Sequence, residues 1–198
     1  YGKASFAFKS FRRRCRDAIF KAVSDPMPLV SIPANPVPED VVTGTIKTHD
    51  GAELRFARWA PPLNRKGTVC VFQGRGEFME KYFETVRDLR ARGFAVAMID
   101  WRGQGHSARR LREPRKGYVR DFADYETDVE TFIRDVVMPD CPPPFYALAH
   151  SMGGAVLLRV AYSQKRWFDR IVLSAPMIDL PGRTTGLPAR VLLRALRW

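Results

Sequence analysis

The 198-residue sequence has few cysteines and lacks any long apolar segment. Its three cysteines, Cys15, Cys70 and Cys141, are odd in number and far apart, which argues against a disulfide scaffold and against a zinc site. No apolar run approaches the roughly 18 residues that a membrane-spanning helix needs. Because the cysteine usage suits a reducing compartment and the length suits one domain, we expect a cytoplasmic globular protein.

Acidic residues are scarce relative to basic ones. The sequence contains 33 Lys and Arg against 21 Asp and Glu, a net charge of +12. Such an excess favours anionic partners, and it admits peripheral contact with an anionic membrane surface such as the inner face of the cell membrane. The alternative is a merely solubilising surface. No nucleic acid is expected as a partner, because no base-stacking motif or recognition helix is evident and the basic residues are spread along the chain.

The chain divides into three segments. Residues 1–26 form a basic extension with apolar residues at helical spacing, either an amphipathic membrane-surface helix or an upstream stretch without a role in the fold. Residues 27–180 form the expected core, which opens on a proline-rich extended arm. Residues 181–198 resemble the beginning of a basic, leucine-rich lid helix.

Strand and helix patterns alternate through the core. Two strands at 41–48 and 53–59 are joined by a tight turn at 49–51 and predict an antiparallel edge. Short continuous apolar runs then predict strands buried on both faces, and they alternate with amphipathic helices. The buried strands are expected at 68–72, 94–99, 145–149 and 171–174, and the helices at 80–92, 121–137 and 153–163. This pattern predicts an α/β fold with a mostly parallel twisted sheet and helices on both faces.

The most informative stretch runs from Phe145 to Gly154. An apolar strand leads into Ala149-His150-Ser151-Met152-Gly153, and a helix follows it. A serine at such a strand–turn–helix junction is typical of a nucleophile elbow, in which the hydroxyl is presented beyond the end of the strand. Small residues are needed two positions before and after the serine because the turn brings neighbouring backbones close together. Ala149 and Gly153 occupy these positions. The alternative is a serine that caps a helix after an ordinary buried strand.

A second motif, Gln73-Gly74-Arg75-Gly76-Glu77, follows the first parallel strand. Acyl transfer needs N–H donors that face the developing oxyanion, one from the residue after the nucleophile and one from the loop after this earlier strand. Met152 and Arg75 occupy these positions. A dinucleotide-binding loop is excluded by spacing, because Met79 stands where the third glycine is required.

A third motif, Asp100-Trp101-Arg102-Gly103-Gln104-Gly105-His106-Ser107, again follows a strand, and we interpret His106 as a loop residue with local contacts. The three motifs, with Ser174-Ala175-Pro176 after the last predicted strand, resemble the α/β-hydrolase family in its monoacylglycerol lipase and lysophospholipase branch. The resemblance covers about residues 40–180 and departs from the family pattern at Gln73, where histidine is usual, and at Ala149, where glycine is usual. It implies that Ser151 is the nucleophile and that Arg75 and Met152 supply the oxyanion N–H groups.

The expected catalytic base is missing. In this family the triad follows the chain order Ser, Asp or Glu, then His, but His49, His106 and His150 all precede Ser151. Asp179 is a candidate acid, although the family's acid comes after a later strand. The sequence therefore predicts a C-terminally truncated fragment that lacks the last strands and most of the lid and has almost no turnover. The alternative is a hydrolase fold that has lost catalysis.

For the complete protein, the resemblance implies carboxylic ester hydrolysis through an acyl-enzyme, without a cofactor or metal. The expected substrate is lipid-like, a lysophospholipid or a monoacylglycerol. The alternatives are a small-ester esterase, a proline iminopeptidase-like peptidase, or a non-catalytic binding protein that uses the same pocket.

Overall fold

A computed structural model of the chain describes residues 27–61, 65–113, 115–163 and 165–178. The predicted helix within residues 1–26, the predicted lid start at 181–198 and the candidate acid Asp179 lie outside the described residues.

The described strands form one mixed sheet. The strands are β1 (Val41–Lys47), β2 (Glu53–Trp59), β3 (Thr68–Phe72), β4 (Ala95–Ile99), β5 (Phe145–His150) and β6 (Arg170–Ser174). Their order is β1-β2-β4-β3-β5-β6. β1 pairs with β2 and β2 with β4 in antiparallel fashion, whereas β4, β3, β5 and β6 run parallel. The predicted parallel sheet with an antiparallel N-terminal edge is confirmed.

Helices cover both faces of the sheet. α1 (Phe83–Ala91) follows a 3₁₀ turn at Met79–Tyr82, and α3 (Met152–Tyr162) follows β5. α2 (Asp124–Phe132) continues into a π-helical turn at Ile133–Val137 and a short turn at Met138–Asp140. α2 and α3 contribute to one core cluster and α1 contributes to another. Because alternate strand residues join opposite clusters, β3 and β4 are buried throughout, as their continuous apolar runs predict.

The prediction that β6 is buried is wrong. Ile171 is 38% exposed and Val172 is 60% exposed. The strand lies at one edge of the described sheet and pairs with β5 alone among the described residues. An apolar run predicts a strand but does not give its position in the sheet, and an edge position leaves one side without a neighbour.

Candidate active site

Ser151 lies at a strained bend between β5 and α3. Its backbone has φ 47° and ψ −113°, a left-handed region in which a residue with a side chain is strained by about 1–3 kcal/mol. The bend is held by its own peptide groups. The Ser151 N–H donates to the Ser174 carbonyl at 3.1 Å, and the Ser151 carbonyl accepts from the Met177 N–H at 2.9 Å. The structure therefore has the sharp strand-to-helix turn that the sequence predicts.

Two glycines allow the backbones around Ser151 to approach closely. A Cβ atom at Gly153 would lie 2.5 Å from the Phe72 carbonyl oxygen, which belongs to the last residue of β3. A Cβ atom at Gly74 would lie 3.3 Å from the Ser151 Cβ. The start of α3 and the loop after β3 are therefore in direct contact, and the loop that carries Arg75 lies beside Ser151.

Unpaired polar groups collect at this contact. The backbone N–H groups of Arg75 and Met152 have no acceptor within the described part of the chain. The Ser151 hydroxyl likewise makes no hydrogen bond to a described residue. Met152 is the first residue of α3, where backbone N–H groups lack an intrahelical partner and the helix dipole favours negative charge. The arrangement offers a half-buried hydroxyl beside two free amides.

The Glu77 carboxylate holds the loop after β3 in place. It accepts hydrogen bonds from the Gly74 N–H at 2.8 Å, the Tyr82 hydroxyl at 2.7 Å and the Lys81 ammonium at 2.8 Å. Burial alone would raise the pKa of Glu77, but the three donors outweigh it and lower the pKa to about 2. Burial and the hydrogen bond to Glu77 raise the pKa of Tyr82. At neutral pH Glu77 is therefore ionised and fixes the conformation of the loop.

Asp100, at the carboxyl end of β4, joins the loops on either side of the site. Its carboxylate accepts from the Met79 N–H at 3.0 Å and from the His106 N–H at 2.9 Å. The buried Arg55 guanidinium pairs with it at 2.6 Å. Burial raises the pKa of Asp100, and the positive charge of Arg55 opposes that shift. One carboxylate thus positions the start of the 3₁₀ turn and the loop after β4.

Arg55 is a structural residue that the sequence analysis missed. It is fully buried in β2 and makes a bidentate pair with Glu80, with both N–O distances at 2.8 Å. Its partners lie 25 and 45 residues further along the chain. No local pattern marks this arginine as buried, because an arginine in an alternating strand resembles a solvent-facing residue.

Gln104 is a second residue that the sequence analysis missed. Its side chain is buried, and its Oε1 accepts the backbone N–H of Gly76. Its Nε2 lies 4.0 Å from the Met152 Sδ. One amide therefore connects the loop that contains Arg75 with the first residue of α3.

Arg102 forms a further ion network behind the site. Its guanidinium contacts Asp50 in the β1–β2 turn at 2.6 Å and Asp128 in α2 at 2.6 Å. Burial raises the pKa of Asp128 to about 6, although its hydrogen bonds to Arg102 act in the opposite direction. The network anchors the loop after β4 to both the hairpin and α2.

None of the three histidines hydrogen-bonds the Ser151 hydroxyl. The His150 Nδ1 lies 3.2 Å from the Ser174 carbonyl oxygen, so the ring is directed toward β6. The side chains of His49 and His106 are exposed, and His106 contacts Asp100 through its backbone. The local contact expected for His106 is present in this backbone form.

A cavity of about 950 Å³ adjoins the loop after β3. One wall is formed by Arg75, Gly76 and neighbouring residues, and another by the loop that contains Gln104. Val30, Ile32 and Asn35 of the N-terminal arm contribute a third side. Ser151 is not among the lining residues, but the loop after β3, which lies beside Ser151 at Gly74, contributes Arg75 and Gly76 to the lining. Among the described residues, no helix combines the length and apolar character needed to cross a bilayer.

The sheet order, the bend after β5 and the helices on both faces define an α/β-hydrolase. This fold class is supported by the solved structure of a soluble variant of monoglyceride lipase from Saccharomyces cerevisiae in complex with a substrate analog. It is 22% identical, has a TM-score of 0.58, and is matched over 87% of this chain and 53% of its own. Residues 64–198 match the family described as serine aminopeptidase, S33 (Hydrolase_4), and the chain belongs to that family.

Two curated relatives are similar over the core. Lysophospholipase L2 of Escherichia coli strain K12 is 38% identical over 144 residues, which is 73% of this chain and 42% of the relative. Monoglyceride lipase of Mus musculus is 32% identical over 130 residues, which is 65% of this chain and 41% of the relative. The chain therefore spans about two fifths of the length of these relatives.

Proposed function

We propose that the full-length protein is a serine hydrolase that cleaves carboxylic esters through an acyl-enzyme. The observation that carries the proposal is the strained Ser151 bend, which lies against Gly74 and beside the free N–H groups of Arg75 and Met152. Strain of this kind is typical of functional positions, where the surrounding structure holds a residue in an uncommon conformation. A serine that serves only to cap a helix needs neither this bend nor two free amides beside it.

In the proposed mechanism, the Ser151 Oγ attacks the ester carbonyl carbon after losing its proton to a general base. The carbonyl oxygen becomes an oxyanion, which accepts hydrogen bonds from the Arg75 and Met152 N–H groups. The general base returns its proton to the leaving oxygen, so that the alcohol departs and the acyl-enzyme remains. Water that loses a proton to the same base then hydrolyses the acyl-enzyme, and the products are the acid and the restored serine. Loss of one such oxyanion donor typically raises the barrier by about 2.7–4 kcal/mol.

The general base of this mechanism is not one of the three histidines of the sequence. All three precede Ser151, and the His150 ring is directed toward the Ser174 carbonyl. Since the chain spans 42% of the lysophospholipase L2 sequence, we propose that the base and its acid partner belong to the rest of the full-length protein. The 198 residues alone would then have almost no turnover.

A lipid-like ester is the proposed substrate class. The relatives that support it are named for lysophospholipids and monoglycerides. We also propose a cytoplasmic location, supported by the two described cysteines, Cys70 and Cys141, which are buried and unpaired. The family description names a serine aminopeptidase, so a peptidase is the competing enzyme class.

A fluorophosphonate probe tests the nucleophile in the full-length protein. The wild type should be labelled, Ser151→Ala should lose the label, and Ser163→Ala, which alters an exposed serine just past α3, should keep it. Labelling that survives Ser151→Ala would remove Ser151 from its proposed role. A folded wild type that is not labelled at all would favour a non-catalytic binding protein.

The substrate class is tested with two lipid esters that carry the same acyl chain and with one peptidase substrate. A lysophospholipid and a monoacylglycerol of equal chain length should be hydrolysed, whereas an aminoacyl anilide should not. Faster turnover of the aminoacyl anilide than of either ester would transfer the assignment to the peptidase class.

A further inference from the structure

The loop after β4 carries the densest positive charge among the described residues. Residues 109–120 contain six basic residues and one acidic residue, a net charge of +5. The basic residues are therefore concentrated in this segment, contrary to the expectation that they are spread along the chain. We propose that this loop, here called the basic loop, is a docking surface for an anionic lipid bilayer.

Most of the charge on the basic loop is not neutralised by the protein. Arg110, Arg112, Lys116 and Arg120 are exposed and have no carboxylate partner within the described residues. In the same loop only Arg115 has an ion pair, to Glu113 at 3.5 Å. Charges that find no partner inside the protein remain available to an external anion.

The basic loop is attached to the rest of the fold at both ends. The Arg109 guanidinium donates to the Gly103 carbonyl at 2.8 Å and to the Gly105 carbonyl at 3.1 Å. A Cβ atom at Gly103 would lie 2.6 Å from the Tyr118 carbonyl oxygen. The C-terminal part of the loop therefore packs directly on the backbone at Gly103. Arg75 also donates to the Gly117 carbonyl at 3.4 Å. The basic side chains therefore project from a loop whose backbone is attached to the rest of the fold.

Apolar side chains accompany the cations and favour a bilayer over a nucleic acid. Within the basic loop, Leu111 is 38% exposed and Tyr118 is 41% exposed. Across the adjoining cavity, Val30, Ile32 and Phe78 are 56%, 51% and 43% exposed. Exposed apolar groups gain free energy by entering the boundary between headgroups and acyl chains, while cations contact the anionic headgroups. A nucleic-acid backbone offers the cations phosphates but gives the aliphatic side chains no apolar phase.

Docking through the basic loop would bring the cavity to the membrane surface. Arg109, Arg115 and Gly117 of the loop line the cavity, as does Arg75 of the loop beside Ser151. A lipid ester taken from the bilayer would then enter the cavity, which shares the loop after β3 with the Ser151 bend. This consequence rests on the proposed function, but the bilayer contact itself does not.

The test compares two triple variants of the full-length protein that remove equal charge. The loop variant is Arg110→Gln, Arg112→Gln and Lys116→Gln. The control variant is Arg65→Gln, Lys66→Gln and Arg166→Gln, which are exposed residues ahead of β3 and β6, at the opposite end of the parallel strands. Both variants retain residues 1–26, so their difference reports the basic loop alone. Binding is measured by co-sedimentation with phosphatidylcholine vesicles that contain about one third phosphatidylglycerol, a content that gives a strongly anionic surface.

We expect the partition coefficient of the loop variant to fall about 100-fold, since each basic residue near an anionic surface contributes about 5-fold. The control variant should bind within a few-fold of wild type, and vesicles of pure phosphatidylcholine should bind none of the three proteins well. Equal loss by both triple variants, or no loss by the loop variant, would overturn the proposal. Tighter binding of wild type to random single-stranded RNA than to the vesicles would also overturn it. Ser151→Ala should bind vesicles like wild type, so the bilayer proposal can be judged separately from the catalytic proposal.

Discussion

Replacement of Arg55 by methionine should destabilise the full-length protein by about 3–5 kcal/mol, because it leaves two buried carboxylates without their cation. Arg55 and Asp100 are fully buried and Glu80 is nearly so. The guanidinium lies 2.8 Å from Glu80 and 2.6 Å from Asp100, and these are the only ion pairs of either carboxylate within the described residues. Methionine has a similar reach but no charge, so the loss comes from the network rather than from a cavity.

Equilibrium unfolding in urea, followed by far-ultraviolet circular dichroism, measures this loss. The matched control is Arg58→Met in the same strand. Arg58 pairs with Asp140 at 3.3 Å, and both side chains are partly exposed, so this change should cost no more than about 1 kcal/mol. Arg55→Lys retains the charge but loses the bidentate geometry, and it should fall between the two methionine variants.

The reasoning is refuted if Arg55→Met costs no more than Arg58→Met. If Arg55→Met does not fold, the Arg55→Lys variant still gives a measurable value. A cost for Arg55→Lys below that of Arg58→Met would then contradict the proposed structural role.

Three further changes test the site. Gly153→Ala places a Cβ 2.5 Å from the Phe72 carbonyl oxygen. This change should lower the free energy of unfolding by about 2–3 kcal/mol and abolish fluorophosphonate labelling. Retained labelling would show that the contact can relax. Gln104→Leu removes the acceptor of the Gly76 N–H and should lower kcat about 10-fold with little change in KM, so an unchanged kcat would exclude Gln104 as a positioning residue. Glu77 has a pKa of about 2 in the fold against an ordinary 4.5, so it stabilises the protein above pH 4.5, and this contribution is lost as the pH falls toward 2. Wild type should therefore be about 3 kcal/mol more stable than Glu77→Gln at neutral pH, and the unfolding free energies should converge near pH 2; a constant difference would contradict the assignment.

The fold was largely predictable because its strands have strong local patterns. The uninterrupted apolar runs of β3 and β4 indicate burial on both faces, and the glycine-containing turn before β2 indicates a hairpin. Exposure of β6 was not predictable, because Ile171 and Val172 are apolar whether or not another strand lies beside them. Position within a sheet depends on pairing, which a local pattern does not contain.

The candidate site was predictable to the extent that its geometry is local. Ser151 and Gly153 lie within one turn, and the backbone strain and close contact at these positions follow from the strand–turn–helix pattern. Arg55 and Gln104 were missed because their partners come from other parts of the chain. The polar network that supports the site therefore required the tertiary structure.

The hydrogen bonds at Ser151 make the serine conformation sensitive to local opening. Its backbone is fastened to Ser174, the last residue of the exposed edge strand β6, and to Met177 just beyond it. Edge strands with few buried contacts fray at lower free energy than a central sheet does. Warming the 198-residue chain should therefore release Ser151 from its strained conformation while β3 and β4 still hold the core together.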